Sequence, residues 1–330
     1  MMKYIGGLIS SVLLFCSVFS AQAAVAGYET GRPDGSSINW SLDIPQDRVG
    51  QVGLVVIMQG SGCESITKSG SLKLTRLVFS DFAALTVEKY GVTQGDDGVE
   101  KDGELVCPLE YYASNTNSQR VVDYVTILNS LSSAQWWNGQ LVIIGGSEGG
   151  DIAARVSAQV HPQAVVMISS GGGITFAEVV QVTIRGEMER NEVPREQWPD
   201  LEGIFSRARA NPQSAQVEGG YSYKYWADSI DRRTVDDMLK IAAPMLLIQG
   251  TADTSLPLYD ARAAVDIFTD AKRGNLTYWE KAGYSHGMVD AGGTNRLEEV
   301  LQEARFWVQS KLALDKPALA AVASEKQTIH

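Results

Sequence analysis

The chain has 330 residues, 44% of them hydrophobic and 20% charged, with 32 Gly and 10 Pro, which makes it long enough to bury a large core without a metal or a disulfide cluster. A formal net charge of −11 excludes a broad basic face for nucleic acid or anionic lipid. Length alone leaves one large α/β domain or two small ones open.

The amino terminus differs from the rest. Lys3 precedes an apolar run over residues 5–19 (IGGLISSVLLFCSVF), and Ala21-Gln22-Ala23 supplies the small residues of a cleavage site. This reads as a secretory signal peptide over residues 1–23, cut after Ala23, with Ala26 as the second choice. The run is shorter than the roughly 20 residues needed to span a bilayer, which disfavours an anchor helix. Phe15 stands where a lipoprotein signal before Cys16 needs a small residue. A secreted or periplasmic chain over residues 24–330 is expected, with a charge of −12 once Lys3 is removed and no membrane segment. Two cysteines then remain, Cys63 and Cys107, and in an oxidising compartment a lone pair bridges; two separate buried thiols are the alternative. Closing that 44-residue loop is worth about 4 kcal/mol in the chain-entropy model.

Strand candidates follow at residues 52–58 (VGLVVIM), ending in Gln59-Gly60-Ser61-Gly62-Cys63, and at residues 83–88 (AALTVE). Residues 119–131 (QRVVDYVTILNSL) read as a helix with Val122, Val125, Leu128 and Leu131 on one face. Residues 140–144 (QLVII), 164–169 (AVVMIS) and 245–249 (MLLIQ) are apolar almost throughout, as parallel strands covered on both faces are. A last strand is expected at residues 275–280 (NLTYWE), and further helices at 150–160, 257–268 and 296–312. The alternation implies an α/β architecture with a doubly wound, mostly parallel sheet. Residues 173–241 break it: they are charged and aromatic, with Met188, Trp198, Phe205, Tyr221, Tyr223, Tyr225 and Trp226, and carry no clear strand. Such a length is too great for a plain connection and reads as a helical insertion over one edge of the sheet. It serves either as a lid lining a pocket or as a surface excursion whose aromatics are simply core.

Between the strand at 140–144 and the helix at 150–160 lies Gly145-Gly146-Ser147-Glu148-Gly149-Gly150. A G-x-S-x-G set between strand and helix forces a sharp bend that lifts the serine hydroxyl above the sheet. Side chains without bulk at Gly145 and Gly149 let strand and helix pass closely, and the first free amides of the helix, starting with Glu148, point at whatever the serine meets. A phosphate-binding loop would need G-x-G-x-x-G with a matching acid, or a following lysine, and neither is present.

A serine hydroxyl needs an oriented imidazole to become nucleophilic. Of three histidines, His330 ends the chain and His161 precedes Pro162 at the opposite edge of the sheet from Ser147, which leaves His286 in Gly283-Tyr284-Ser285-His286-Gly287. The carboxylate that orients it is expected from Asp253, just past the strand at 245–249. Asp260 and Asp270 are rivals, read as solvated positions on or beyond the next helix.

Four segments in order, QGSG, GGSEGG, GTADTSLP and GYSH, resemble those of the α/β-hydrolase superfamily over residues 52–312. VEKYGV after the second strand resembles esterase and peptidase-like members alike. The resemblance implies one α/β-hydrolase domain over residues 24–330 with a lid insertion at about 174–240. It also implies a Ser147, Asp253, His286 triad, an acyl-enzyme hydrolysed by water, and no cofactor or metal. It places the oxyanion donors at the Glu148 amide and, by position, the Ser61 amide, with Gly62 in reserve; Gln59 departs from the histidine common there. The substrate expected is a small ester or acyl compound, cleaved by a carboxylic ester hydrolase. A serine aminopeptidase or amidase is the alternative, with Glu148, Glu178, Glu187 or Glu189 holding the amine; a thioesterase is a weaker variant. A non-catalytic binding protein on the same scaffold is the reading from another class. No oligomeric state follows from the sequence.

Overall fold

The computed structural model describes residues 26–98, 100–101 and 104–314, so the leader read at residues 1–23, as well as His330, lie outside the described residues. Eight strands form one sheet: β1 (Ala26–Gly31), β2 (Ser37–Asp43), β3 (Val52–Met58), β4 (Ala83–Val87), β5 (Trp137–Gly146), β6 (Ala164–Ile168), β7 (Met245–Gly250) and β8 (Leu276–Lys281). Their order is β1-β2-β4-β3-β5-β6-β7-β8. Only the pairings of β2 with β1 and β4 are antiparallel; the others are parallel, as the apolar central strands implied. The strands β1 and β2 escape the sequence reading because they form an edge hairpin with polar residues interspersed.

The central strands are apolar on both sides because both sides are covered. In β3, Leu54, Val56 and Met58 face one layer and Val55 and Ile57 the other, the two-residue period of a pleated strand. The first layer holds α3 (Asn117–Leu131), α4 (Glu148–Val160) and α9 (Leu258–Asp270). The second holds α1 (Gly70–Val78) and α10 (Leu297–Leu314). No described helix is long and apolar enough to cross a membrane.

Helix α3 turns inward a face that is shifted from the expected one: Leu128 is buried and Val125 and Leu131 pack against the core, but Val122 does not. Val122 is exposed, whereas Arg120, Val121, Tyr124, Ile127 and Leu128 are buried. Val122 gives way to Tyr124 because the larger ring buries more apolar surface, and burying Tyr124 carries Arg120 inward one turn away.

The insertion between β6 and β7 contains α5 (Phe176–Arg190), a short 3-10 turn (Arg195–Gln197), α6 (Leu201–Ala210), α7 (Tyr223–Ser229) and α8 (Val235–Met238). It also has a small hairpin, Val217–Glu218 with Tyr221–Ser222, where no strand was expected. Ile204, Phe205, Ala208, Tyr223, Trp226 and Ile230 give it a core of its own. Thr175 and Glu178 cap the start of α5 reciprocally, so the chain leaves the sheet at a defined angle. The Cys63–Cys107 disulfide is formed, with Cα atoms 5.6 Å apart, and Cys63 packs with Val92 and with Tyr111 of the short helix α2 (Leu109–Ser114).

Candidate active site

Strand β5 runs directly into α4, and Ser147 at the junction has φ 53° and ψ −130°, a left-handed value that a non-glycine residue adopts only when its surroundings impose it. Its amide donates to Ile168 O at 2.9 Å and its carbonyl accepts from Gly150 N at 2.8 Å. The hydroxyl makes no capping bond to the helix. The two glycines are steric necessities: a Cβ on Gly145 would lie 1.9 Å from Gly149 O, and one on Gly149 would lie 2.3 Å from Met58 O. Both requirements agree with the sequence expectation.

His286 lies past β8 in a loop drawn against β7, where a Cβ on Gly250 would meet Tyr284 O at 2.2 Å. Its Nδ1 is 2.8 Å from Asp253 Oδ2. The Asp253 side chain is fully buried, whereas the imidazole is 31% exposed. Asp253 Oδ1 accepts from the Ser255 and Leu256 amides at 2.8 and 2.9 Å, and Oδ2 accepts from Gln249 Nε2 at 2.8 Å. These donors hold the carboxylate in place and fix which oxygen faces the ring. Ser147 and His286 line the same cavity, of about 610 Å³.

Asp260 is no rival for His286, but neither is it solvated. It is buried and accepts from the Gly172 and Ile174 amides, both at 2.8 Å, holding the chain where the insertion departs. Burial raises its pKa. Asp270 is exposed, as expected.

The loop after β3 presses on the serine: a Cβ on Gly60 would lie 3.4 Å from Ser147 Cβ and 3.9 Å from its Oγ. Buried cations grip this loop by its carbonyls. Arg120 Nη2 donates to Gln59 O at 2.5 Å, and Lys89 Nζ donates to Gly60 O at 2.6 Å and also to Gly62 O. Gln59 Nε2 reaches Glu64 O at 2.6 Å, and the disulfide holds Cys63. With its carbonyls turned to these donors, the loop keeps Ser61 at the cavity wall, and the Ser61 amide has no acceptor among the described residues. Burial, and then repulsion from Arg120, lower the Lys89 pKa to about 7.

Glu148 is not a solvated helix-start carboxylate. Its side chain is 8% exposed, paired with Arg120 and accepting from Tyr225 of α7. One guanidinium therefore joins Glu148, next to the serine, to Gln59 of the β3 loop. Sequence reasoning missed Lys89, Arg120 and Tyr225, and also Asp151, which lines the cavity one turn beyond Ser147. The available signal was a charge on an otherwise apolar helical face, Arg120 beside Val121 and Tyr124.

The apolar part of the cavity wall comes largely from the insertion: Ile174, Phe176, Val179, Ile184, Leu201 and Trp226. Of the four acids considered for an amine, only Glu148 lines this cavity; Glu178 is used in the α5 cap, and Glu187 and Glu189 are exposed on α5. Among the described residues no cluster of His, Cys, Asp and Glu has the arrangement of a metal site.

No family model and no curated protein matches the chain in sequence. Solved structures do match in shape. Est1E from Butyrivibrio proteoclasticus aligns over 87% of this chain and 99% of its own, at 14% identity and a TM-score of 0.57. An esterase from Pyrococcus furiosus aligns over 88% and 91%, at 12% identity and a TM-score of 0.59. A puromycin-hydrolysing peptidase from Mycobacterium tuberculosis aligns over 87% of this chain but 39% of its own, at 17% identity and a TM-score of 0.60. With the sheet order and the strand-to-helix bend at Ser147, these likenesses identify the chain as having the α/β-hydrolase fold.

Proposed function

We propose that this protein is a secreted serine hydrolase that cleaves a carboxylic ester through Ser147, His286 and Asp253. The observation that carries the reading is the buried Asp253 carboxylate held 2.8 Å from His286 Nδ1, with the ring and the Ser147 hydroxyl sharing one cavity. His286 takes the Ser147 proton as the oxygen attacks the ester carbonyl, and Asp253 stabilises the imidazolium. The Glu148 and Ser61 amides receive the oxyanion. Collapse of the tetrahedral intermediate expels the alcohol, which takes the proton from His286. Water then repeats the sequence on the acyl-enzyme and releases the acid. No cofactor enters these steps. The insertion acts as the lid, and its apolar wall suits an alkyl or aryl group. Ferulic acid, an aryl acid, is the ligand bound to Est1E in one related structure. The N-terminal leader and the disulfide support export to an oxidising compartment.

Labelling with a fluorophosphonate, followed by identification of the modified residue, tests the assignment. Ser147 should carry the label, and Ser147→Ala and His286→Ala should each lose most turnover of a p-nitrophenyl ester. Near wild-type rates in either variant refute it. An aminopeptidase reading rests on Asp151, a cavity carboxylate one turn from the serine. Arg155 and Arg232 beside it weaken its hold on an ammonium group, and comparing an acyl ester with an aminoacyl anilide separates the two.

A further inference from the structure

Helix α4 presents Asp151 and Arg155 to the cavity on the turns beyond Ser147. Asp151 Oδ1 accepts from Thr234 Oγ1 at 2.9 Å, and Oδ2 faces Arg155 Nη1 at 3.9 Å, beyond hydrogen-bonding reach. Arg155, 7% exposed, uses Nη2 on Ser118 Oγ at 2.7 Å. Its Nη1 has no hydrogen-bond partner among the described residues, and Asp228 Oδ2 stands 3.8 Å off. Asn117, which also lines the cavity, is buried with Oδ1 unpaired. Buried polar atoms without partners are rare and costly, so two of them, Arg155 Nη1 and Asn117 Oδ1, on residues lining one cavity mark where a ligand supplies the missing bonds.

The chemistry of the gap selects the group that fills it. An acceptor and a donor 3.9 Å apart can both lie about 2.8 Å from one inserted oxygen, provided it donates to one and accepts from the other. A carboxylate cannot donate and would face Asp151 and Asp228. An ammonium cannot accept and would face Arg155, with Arg232 nearby. A hydroxyl does both and carries no charge. We propose that Asp151 and Arg155 form a subsite for an alcohol hydroxyl on the acyl part of the substrate, so that the enzyme's esters are those of hydroxy acids. The proposal rests on the hydrolase reading. Asp151 lies four residues after Ser147, roughly 6 Å along the helix axis, which places the hydroxyl roughly five to seven carbons from the scissile carbonyl.

The test compares p-nitrophenyl esters of butanoate, hexanoate and octanoate with their ω-hydroxy and ω-amino counterparts, using the mature enzyme. The ω-hydroxy ester of one chain length should exceed its methyl-terminated partner by about tenfold in kcat/KM, the value of one well-placed hydrogen-bonding group. That ratio should fall towards one in both Asp151→Asn and Asp151→Leu; because it is internal to each variant, a partly damaged fold does not blur it. A ratio near one at every length in the wild type, or one that survives both substitutions, overturns the subsite. Preference for the ω-amino ester also overturns it, in favour of an ammonium site. Ser147 labelling by a fluorophosphonate reports separately on the underlying reading. Labelling without discrimination sinks the subsite alone, and absence of both labelling and turnover sinks the hydrolase reading with it.

Discussion

Replacing Lys89 by methionine sets stability against turnover. In the fold the ammonium is buried and donates to Gly60 O and Gly62 O, with Arg120, Glu148, Glu88 and Glu64 acting on it electrostatically. Its pKa is lowered from 10.5 to about 7, first by burial and then by Arg120. Below about pH 7 the folded chain must hold a charge it disfavours, at a cost on the order of 5 kcal/mol. Methionine removes that cost and leaves carbonyls short of a donor, at roughly 1–3 kcal/mol each. Two such carbonyls cost about 2–6 kcal/mol together, which is of similar size, so the prediction is the trend: the variant's Tm advantage, its Tm minus that of wild type, should be greatest at about pH 6. The sign follows from proton counts. Between about 7 and 10.5 the unfolded chain binds the Lys89 proton and the folded chain does not, so wild-type stability gains on the variant as pH rises and the difference in Tm shrinks. Turnover should move the other way. A loop no longer held by Gly60 and Gly62 misaims the Ser61 amide, and loss of one oxyanion donor costs about 10²–10³ in kcat. Thermal melts at several pH values and kcat on a p-nitrophenyl ester check both. The reasoning is refuted if kcat stays within about twofold of wild type, or if the Tm advantage grows with pH.

Asp253→Asn keeps an acceptor for the Ser255 and Leu256 amides but turns a donor towards His286, so kcat should fall by about 10⁴ while the melting curve changes little. Removing the disulfide with Cys63→Ser and Cys107→Ser should cost about 4 kcal/mol, read by denaturant unfolding. Tyr225→Phe takes from Glu148 its bond to α7, and combining it with Arg120→Met should give losses in kcat that do not add, because both partners hold one carboxylate. Additive losses would mean that the two contacts act independently.

Local signals carried much of the outcome. The pattern G-G-S-E-G-G between an apolar run and an amphipathic one, the elimination of two histidines and the position of Asp253 after a strand each depend on neighbours within a few residues. Short-range sterics impose them: Gly145 and Gly149 are glycines because strand, helix and β3 loop leave no room for a Cβ. Val52–Met58 was legible to the residue because a strand covered on both faces is apolar without interruption. The edge hairpin β1–β2 was not, since a strand with one partly exposed face carries a weaker pattern.

What the amino-acid order determined by itself was thus the strand-to-helix alternation, the bend at Ser147 and the candidates Asp253 and His286. Only the tertiary structure decided the meaning of the charges. Lys89, Arg120, Glu148 and Asp151 look like ordinary surface residues in the sequence, because one charge in a helix or loop reads alike whether water or protein surrounds it. Folding brings Arg120 to Gln59 across 61 positions and Tyr225 to Glu148 across 77, and it closes the insertion over α4. The physical reason is range. Backbone sterics act between adjacent residues, whereas the desolvation and pairing of a charge depend on whichever segments happen to surround it.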